Sequence, residues 1–275
     1  MDDRLAAIKE ELGKPYFENS NVLLYQGDCA DLMSRLSQPV FDLVVTSPPY
    51  NIGKAYEKIL PLPEYIAWCG KWMTHIHEVT LQQGSFWLNV GYVAVPDRGK
   101  AVPLPYLLWD QSPFFLVQEV IWNYGAGVAA KRSFSPRNEK FLWYAKDPDA
   151  YYFDLDPVRD SNVKYPNQKK NGKIKVNPLG KNPTDVWQFP KVTSGASRSS
   201  KERTAHPAQF PVAVIDRIIK SCSPPSGLVL DPFVGSGTTC AAARQNGRLS
   251  VGFDLKSEYL DIAAARLEAS EQHLF

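Results

Sequence analysis

The sequence predicts an α/β fold: a doubly wound, mostly parallel sheet of seven strands with an antiparallel edge strand. Three observations predict it. Seven short apolar runs are spread along the 275 residues, and unbroken apolar character marks strands buried on both faces. Segments with apolar residues every three or four positions lie between many of these runs, and strands alternating with helices wind into a sheet covered on both sides. One pair of runs has no helix between its members, which makes them antiparallel neighbours at one edge.

The elements follow in order. The opening MDDRLAAIKEELGK is charged and amphipathic and lacks the apolar core of a secretory signal. NVLLYQGD (Asn21–Asp28) and FDLVVTS (Phe41–Ser47) are the first two strands. LPEYIAWCGKWMTHIHEVT begins with Pro63 and Glu64, a favourable first helical turn, and GSFWLNV (Gly84–Val90) is the third strand. FLVQEVIWNY (Phe115–Tyr124) and KFLWYAK (Lys140–Lys146) form the pair without a helix. FPVAVIDRIIKSCS is helical and ends before Pro224. GLVLDPF (Gly227–Phe233) and RLSVGFDL (Arg248–Leu255) are strands, and TTCAAARQNG between them is an Ala-rich helix closed by Gly247. SEYLDIAAARLEAS is the last helix. Residues 147–205 have few periodic segments and exceed ordinary loop length, which marks a functional insert. The chain thus divides into 1–146, the insert 147–205, and 206–275, the outer two being halves of one domain.

Composition narrows the function classes. The 22% charged and 12% aromatic fractions belong to a globular chain. No apolar run reaches the roughly 18 residues of a membrane span. Cys29, Cys69, Cys222 and Cys240 stand singly, with no zinc or disulfide spacing, so a reducing, cytoplasmic setting is expected. His75, His77, His206 and His273 are scattered, and no metal is expected. From Arg159 to Arg203 there are eleven Lys/Arg against three Asp/Glu, in a chain whose net charge is +2. A solvated loop is the common fate of such a stretch; a surface that meets phosphates is the functional alternative.

Two loops carry chemistry. In VVTSPPYN (Val44–Asn51) a strand runs into two prolines and an aromatic ring. The prolines stiffen the backbone and remove two N–H donors, leaving carbonyl acceptors beside the flat face of Tyr50. A planar group bearing an amine fits there. SCSPPSG (Ser221–Gly227) repeats Ser-Pro-Pro without the aromatic and ahead of a strand, so it reads as a plain turn. In LVLDPFVGSGTTCAAA (Leu228–Ala243) a strand ends in Asp231, a Gly-rich turn follows, and a helix begins. Gly235 and Gly237 permit a tight turn and close ligand approach. Ser236, Thr238 and Thr239 are candidate helix caps. The loop is neither a Walker A sequence nor G-x-G-x-x-G. Asp254 ends the next strand, well placed to accept from ribose hydroxyls. Each glycine or acid alone suits an ordinary strand-to-helix turn; the ordered set points to a nucleotide-like small molecule.

TSPPY followed by DPFVGSGTT resembles the amino-group DNA methyltransferases that use S-adenosylmethionine, and the order of the two loops resembles their β class. The resemblance spans nearly the whole chain and implies a Rossmann-like methyltransferase fold with circularly permuted motif order. It places Asp28, in QGDCADLM, near the cofactor adenine. It places His206 and Phe210, in HPAQFP, by the methionine moiety, with lysine common in relatives where Phe210 stands. Phe233, Gly235, Ser236, Gly237, Thr238, Asp231 and Asp254 complete the cofactor set. NEKFLWYAK resembles the edge strand, with Asn138-Glu139 where many relatives have His-Glu.

For catalysis the resemblance implies Ser47, Pro48, Pro49 and Tyr50. An exocyclic amine is a poor nucleophile because its lone pair is delocalised. Acceptors at Ser47 Oγ and the Pro48 carbonyl would grip both N–H groups and aim the lone pair outward, while Tyr50 stacks on a base flipped out of double-stranded DNA. The basic insert falls where the family carries target recognition. Lys169, Lys170, Lys173 and Lys175 would meet phosphates, with Asn167, Gln168 and Asn171 as base-reading candidates. Serine in Ser-Pro-Pro-Tyr points to cytosine N4, with adenine N6 the alternative. An RNA or small-molecule methyltransferase, or a silent binding protein, are the other classes on this fold. The resemblance is compatible with a homodimer and with a cognate restriction endonuclease, and the sequence decides neither.

Overall fold

Period-two alternation in the strands decides which side of the sheet each helix covers. The computed structural model describes residues 2–125, 127, 129–192 and 202–271. The chain opens with α1 (Asp3–Leu12), β1 (Phe17–Glu18), β2 (Val22–Gln26), α2 (Cys29–Ser34), β3 (Phe41–Thr46) and α3 (Leu62–Val79). Next come β4 (Thr80–Val90), a hairpin of β5 (Tyr92–Val95) and β6 (Gly99–Pro103), α4 (Pro105–Leu108), β7 (Phe115–Asn123) and β8 (Asn138–Ala145). A second hairpin, β9 (Lys169–Lys170) and β10 (Lys173–Ile174), precedes β11 (Val186–Gln188). The chain continues with α5 (Val212–Cys222), β12 (Leu228–Asp231), α6 (Thr238–Gln245), β13 (Leu249–Asp254) and α7 (Ser257–Glu271).

The main sheet has the order β1-β2-β13-β12-β3-β4-β8-β7-β11. Strands β2, β13, β12, β3 and β4 run parallel. Strand β8 is antiparallel to both β4 and β7. Leu23, Tyr25, Val44, Phe86 and Leu88 face one way and pack with residues of α1, α2 and α3. Their neighbours Leu43, Val45, Trp87 and Val229 face the other way, against Val214, Ile215, Ile218 and Ile219 of α5. Each of those α5 residues is fully buried, and such burial stabilises by roughly 1.5–3 kcal/mol per side chain.

All seven expected strands are present, but the sheet has nine. The additions are β1, an antiparallel two-residue strand, and β11, which lies in the basic region and pairs in parallel with β7. The sheet edges are therefore β1, which is antiparallel, and β11, while the antiparallel strand β8 is internal. Strand β11 escapes sequence reading because three residues give no period. Its one apolar anchor, Trp187, is buried with its ring stacked 5.7 Å from that of Trp87. Part of the basic region thus shares the main core. The second Ser-Pro-Pro is a turn, as its context predicts: the Gly227 N–H donates to the Pro224 carbonyl at 2.9 Å, between α5 and β12.

Strands β12 and β3 are direct neighbours, with Leu230 opposite Val44. From β12 the chain crosses outward to β13, and from β3 it crosses the other way to β4. That divergence is the topological switch, where ligands bind beyond the carboxyl ends of the strands.

Candidate functional site

The carboxyl ends of the parallel strands converge on one cavity of about 550 Å³. Its lining includes Asp28, Ser47, Pro48, Pro49, Tyr50, His206, Phe210, Asp231, Phe233, Gly235, Ser236, Thr238 and Asp254. The two sequence motifs, 185 positions apart at Thr46 and Asp231, are joined by a hydrogen bond: Thr46 Oγ1 donates to Asp231 Oδ1 at 2.7 Å.

Asp231 spends both oxygens inside the protein. Thr239 Oγ1 donates to Oδ2 at 2.6 Å, and the Phe233 N–H donates to Oδ1 at 3.1 Å. Burial pushes its carboxyl up to about 6, against the pull of these donors. Asp231 is a brace between the two loops. Asp254 likewise accepts from the Gly235 N–H at 3.1 Å and the Lys256 N–H at 2.9 Å. Burial raises its carboxyl above the usual range, and the facing His206 opposes that rise. Asp28 caps α2, with Oδ1 accepting from Ala30 and Asp31 at 2.8 and 3.3 Å.

The Gly-rich turn needs its glycines. Gly235 has φ +45°, and a Cβ there would lie 2.9 Å from His206 Nε2. Gly237, at φ +72°, is the N-cap of α6 and packs on Ala263 of α7. The expected side-chain caps are not made. Thr239 turns to Asp231, Ser236 Oγ lies 3.0 Å from Thr238 Oγ1, and Arg266 Nη1 donates to Thr238 Oγ1 at 2.7 Å. The buried carboxylate and guanidinium outcompete the helix end for these hydroxyls. His206 stands between two rings, parallel to Tyr56 at 6.2 Å and edge-on to Tyr259 at 4.4 Å. Burial lowers its imidazole below the usual value. Phe233 packs edge-on against Trp68 and Trp72.

On the other side of the crevice, Ser47 Oγ lies 3.0 Å from Tyr50 Oη. Both hydroxyls reach Asn89 Oδ1, Tyr50 donating at 2.9 Å and Ser47 at 3.3 Å. Asn89 is the penultimate residue of β4 and is held by its own Nδ2, which donates to the Lys140 carbonyl at 3.2 Å. The Pro49 carbonyl accepts from Tyr65 Oη at 2.8 Å. The Pro48 carbonyl accepts no hydrogen bond among the described residues. Gly91 gives the Tyr50 ring its place, since a Cβ there would come within 3.1 Å of it. Burial and the nearby Glu139 push the Tyr50 phenol well above its usual range, so it stays protonated.

Sequence reasoning missed several lining residues. Asn89 carried a usable signal: like Ser47, Asp231 and Asp254, it is polar at the carboxyl end of an apolar strand. Glu139 of β8 has Oε2 3.3 Å from Tyr50 Oη, a longer alternative to the Asn89 acceptor, and pairs through Oε1 with Lys191 Nζ at 2.7 Å. Lys191 sits 3.8 Å from the Tyr124 ring centroid. Neither pairing has a local sequence signal, because the partners come from distant elements. The predicted DNA-contacting lysines are elsewhere: Lys169, Lys170, Lys173 and Lys175 lie exposed on or beside the β9–β10 hairpin, outside the cavity lining. Among the described residues no group of three or more His, Cys, Asp or Glu gathers to hold a metal ion. Among them, too, no helix is long and apolar enough to cross a membrane.

The N6_N4_Mtase family model, described as DNA methylase, matches residues 41–265. The chain belongs to that family. It is a DNA methyltransferase of the N4/N6 amino-methylating group, and the Ser-Pro-Pro-Tyr and Gly-rich loops both fall within the matched span. It is 69% identical over 275 residues to the type II methyltransferase M.ScaI of Streptomyces caespitosus, covering 100% of this chain and 90% of that one. It is 29% identical to the DNA adenine methyltransferase YhdJ of Escherichia coli, covering 94% of this chain and 86% of YhdJ. Among solved structures, the PvuII DNA methyltransferase (cytosine-N4-specific) superposes with a TM-score of 0.73 at 23% identity, covering 92% of this chain and 89% of that one. That likeness establishes the shared fold.

Proposed function

We propose that this DNA methyltransferase moves a methyl group from S-adenosylmethionine to cytosine N4 in double-stranded DNA. The observation that carries the reading is the pair of acceptors, the Ser47 hydroxyl and the uncommitted Pro48 carbonyl, in the same cavity as the Gly-rich loop.

The residues present fit the cofactor. A cavity of about 550 Å³ lies within the roughly 300–1,000 Å³ of ligand sites. Gly235 leaves open backbone where a Cβ would fill the space before His206. Asp28 Oδ2 accepts nothing among the described residues and is available to a ligand donor. Phe233 supplies an apolar wall, and His206 and Phe210 border it. When bound, S-adenosylmethionine supplies an electrophilic methyl group on a sulfonium centre.

The chain's own residues do the rest. Asn89 accepts the Ser47 hydrogen, so the Ser47 lone pairs face the cavity and receive an N–H of the target amine. The Pro48 carbonyl receives the other, held in place by the flanking prolines. The Tyr50 ring bounds the base, with its hydroxyl tied back to Asn89. The surplus proton leaves the nitrogen to water.

Adenine N6 is the second reading, favoured by the name of the YhdJ relative. The experiment is incubation with isotope-labelled S-adenosylmethionine and unmethylated duplex DNA, followed by nucleoside mass spectrometry. Labelled N4-methylcytosine is expected; N6-methyladenine transfers the reading to the second base, and an unlabelled digest refutes both. Lys169, Lys170, Lys173 and Lys175 belong to the same proposal as phosphate contacts. So do a cytoplasmic setting, a restriction endonuclease of matching specificity, and a homodimer measurable by sedimentation.

A further inference from the structure

The loop between β7 and β8 is rooted in the cavity wall, through Tyr124 on one side and Pro136 on the other. Its stem is closed by the Tyr124 N–H donating to the Arg137 carbonyl at 3.0 Å. Higher up, the Ala130 N–H donates to Ser135 Oγ at 2.9 Å, which closes a tip of Lys131, Arg132, Ser133 and Phe134. Phe134 is 102% exposed. Rings of that size normally lie inside a fold, yet this one is held out on a pinned tip next to exposed Lys131 and Arg132. Pro136 is two positions on, so the Phe134 backbone lies within about 7 Å of the cavity rim.

A protein that takes a base out of a duplex leaves a gap in the stack, and apolar wedges fill or open such gaps. The cations flanking Phe134 suit the phosphates on either side. We propose that Phe134 is a wedge that enters the base stack of duplex DNA beside the target, with Lys131 and Arg132 on the neighbouring phosphates. This rests on the DNA amino-methylation reading above, and it assigns the cost of base extrusion to a residue outside the chemical crevice.

The test compares the wild type with Phe134→Ala and Phe134→Trp in single-turnover methylation. The target site is first mapped by sequencing duplex DNA modified by the wild type. Two duplexes are then used: one with the target normally paired, one with it opposite an abasic position, where extrusion is already easy. Phe134→Ala should lose ten-fold or more on the paired duplex and stay within two-fold of wild type on the abasic one. Phe134→Trp should stay within three-fold of wild type on both. Because the ring is fully exposed, the thermal unfolding midpoint should not move. Equal losses of Phe134→Ala on both duplexes, or no loss on the paired one, overturn the wedge. A wild type that methylates neither duplex overturns the methylation reading and the wedge with it.

Discussion

Replacing Asn89 by leucine isolates how the chain makes Ser47 an acceptor. A serine hydroxyl has one hydrogen, and where it points decides whether the oxygen meets an incoming amine as acceptor or as competitor. Asn89 is 1% exposed. Its Oδ1 takes the Tyr50 hydrogen at 2.9 Å and the Ser47 hydrogen at 3.3 Å, and its Nδ2 bond to the Lys140 carbonyl fixes which way the amide faces. Leucine keeps the branched shape and removes the Oδ1 acceptor, together with the Nδ2 donor that only holds Asn89 to the Lys140 carbonyl. Each hydrogen bond removed is worth about 1 kcal/mol, so two lower kcat by about thirty-fold at 1.36 kcal/mol per decade. The assay is single-turnover methyl transfer at saturating cofactor, with cofactor affinity measured separately and expected to stay within two-fold. The decisive arm repeats Asn89→Leu on a Ser47→Ala background. Only the Tyr50 bond remains to be removed there, so the further cost should shrink to about five-fold. An unchanged thirty-fold cost would show that Asn89 does not act through the Ser47 hydroxyl.

Three further outcomes follow from the same geometry. Asp231 has its carboxyl raised to about 6 by burial, so the fold favours its neutral form. Its stabilising contribution is full below the unfolded value near 4 and is lost as pH rises through 6. Asp231→Asn should remove that slope from the thermal midpoint measured between pH 4 and 6, and an unaltered slope would place the titration elsewhere. Gly235→Ala combines a φ of +45° with a Cβ 2.9 Å from His206, so calorimetry should show S-adenosylmethionine binding weakened ten-fold or more. Replacing Lys169, Lys170, Lys173 and Lys175 together with alanine should flatten the salt dependence of DNA affinity by about 0.9 in log–log slope for each phosphate no longer neutralised. The methylated base should not change. A slope equal to the wild type would remove the hairpin from the DNA interface.

The fold was legible wherever burial wrote a period into the sequence. Strands such as FDLVVTS and GLVLDPF declare themselves by unbroken apolar runs, and their adjacency follows from where the two chemistry-bearing loops must meet. Strand β11 left no period because three residues cannot carry one, although Trp187 fixes it firmly. At the site, loop residues with fixed spacing were readable, since Gly235 and the Ser-Pro-Pro-Tyr run are local demands on backbone shape. Side chains whose meaning lies in distant partners were not. Glu139 takes its place from Tyr50 and Lys191, and Thr239 and Thr238 do not cap the helix because Asp231 and Arg266 claim their hydroxyls. Helix-cap reasoning looks only along the chain, whereas those competitors arrive across it.

The Thr46–Asp231–Thr239 tie has a consequence for how such enzymes evolve. The two loops are registered by a side-chain bridge between adjoining strands, 185 positions apart in the chain. The bridge depends on the two strands lying side by side and not on which of them comes first in the chain. The exposed β9–β10 hairpin takes no part in that bridge, so its length and side chains can change while the bridge stands.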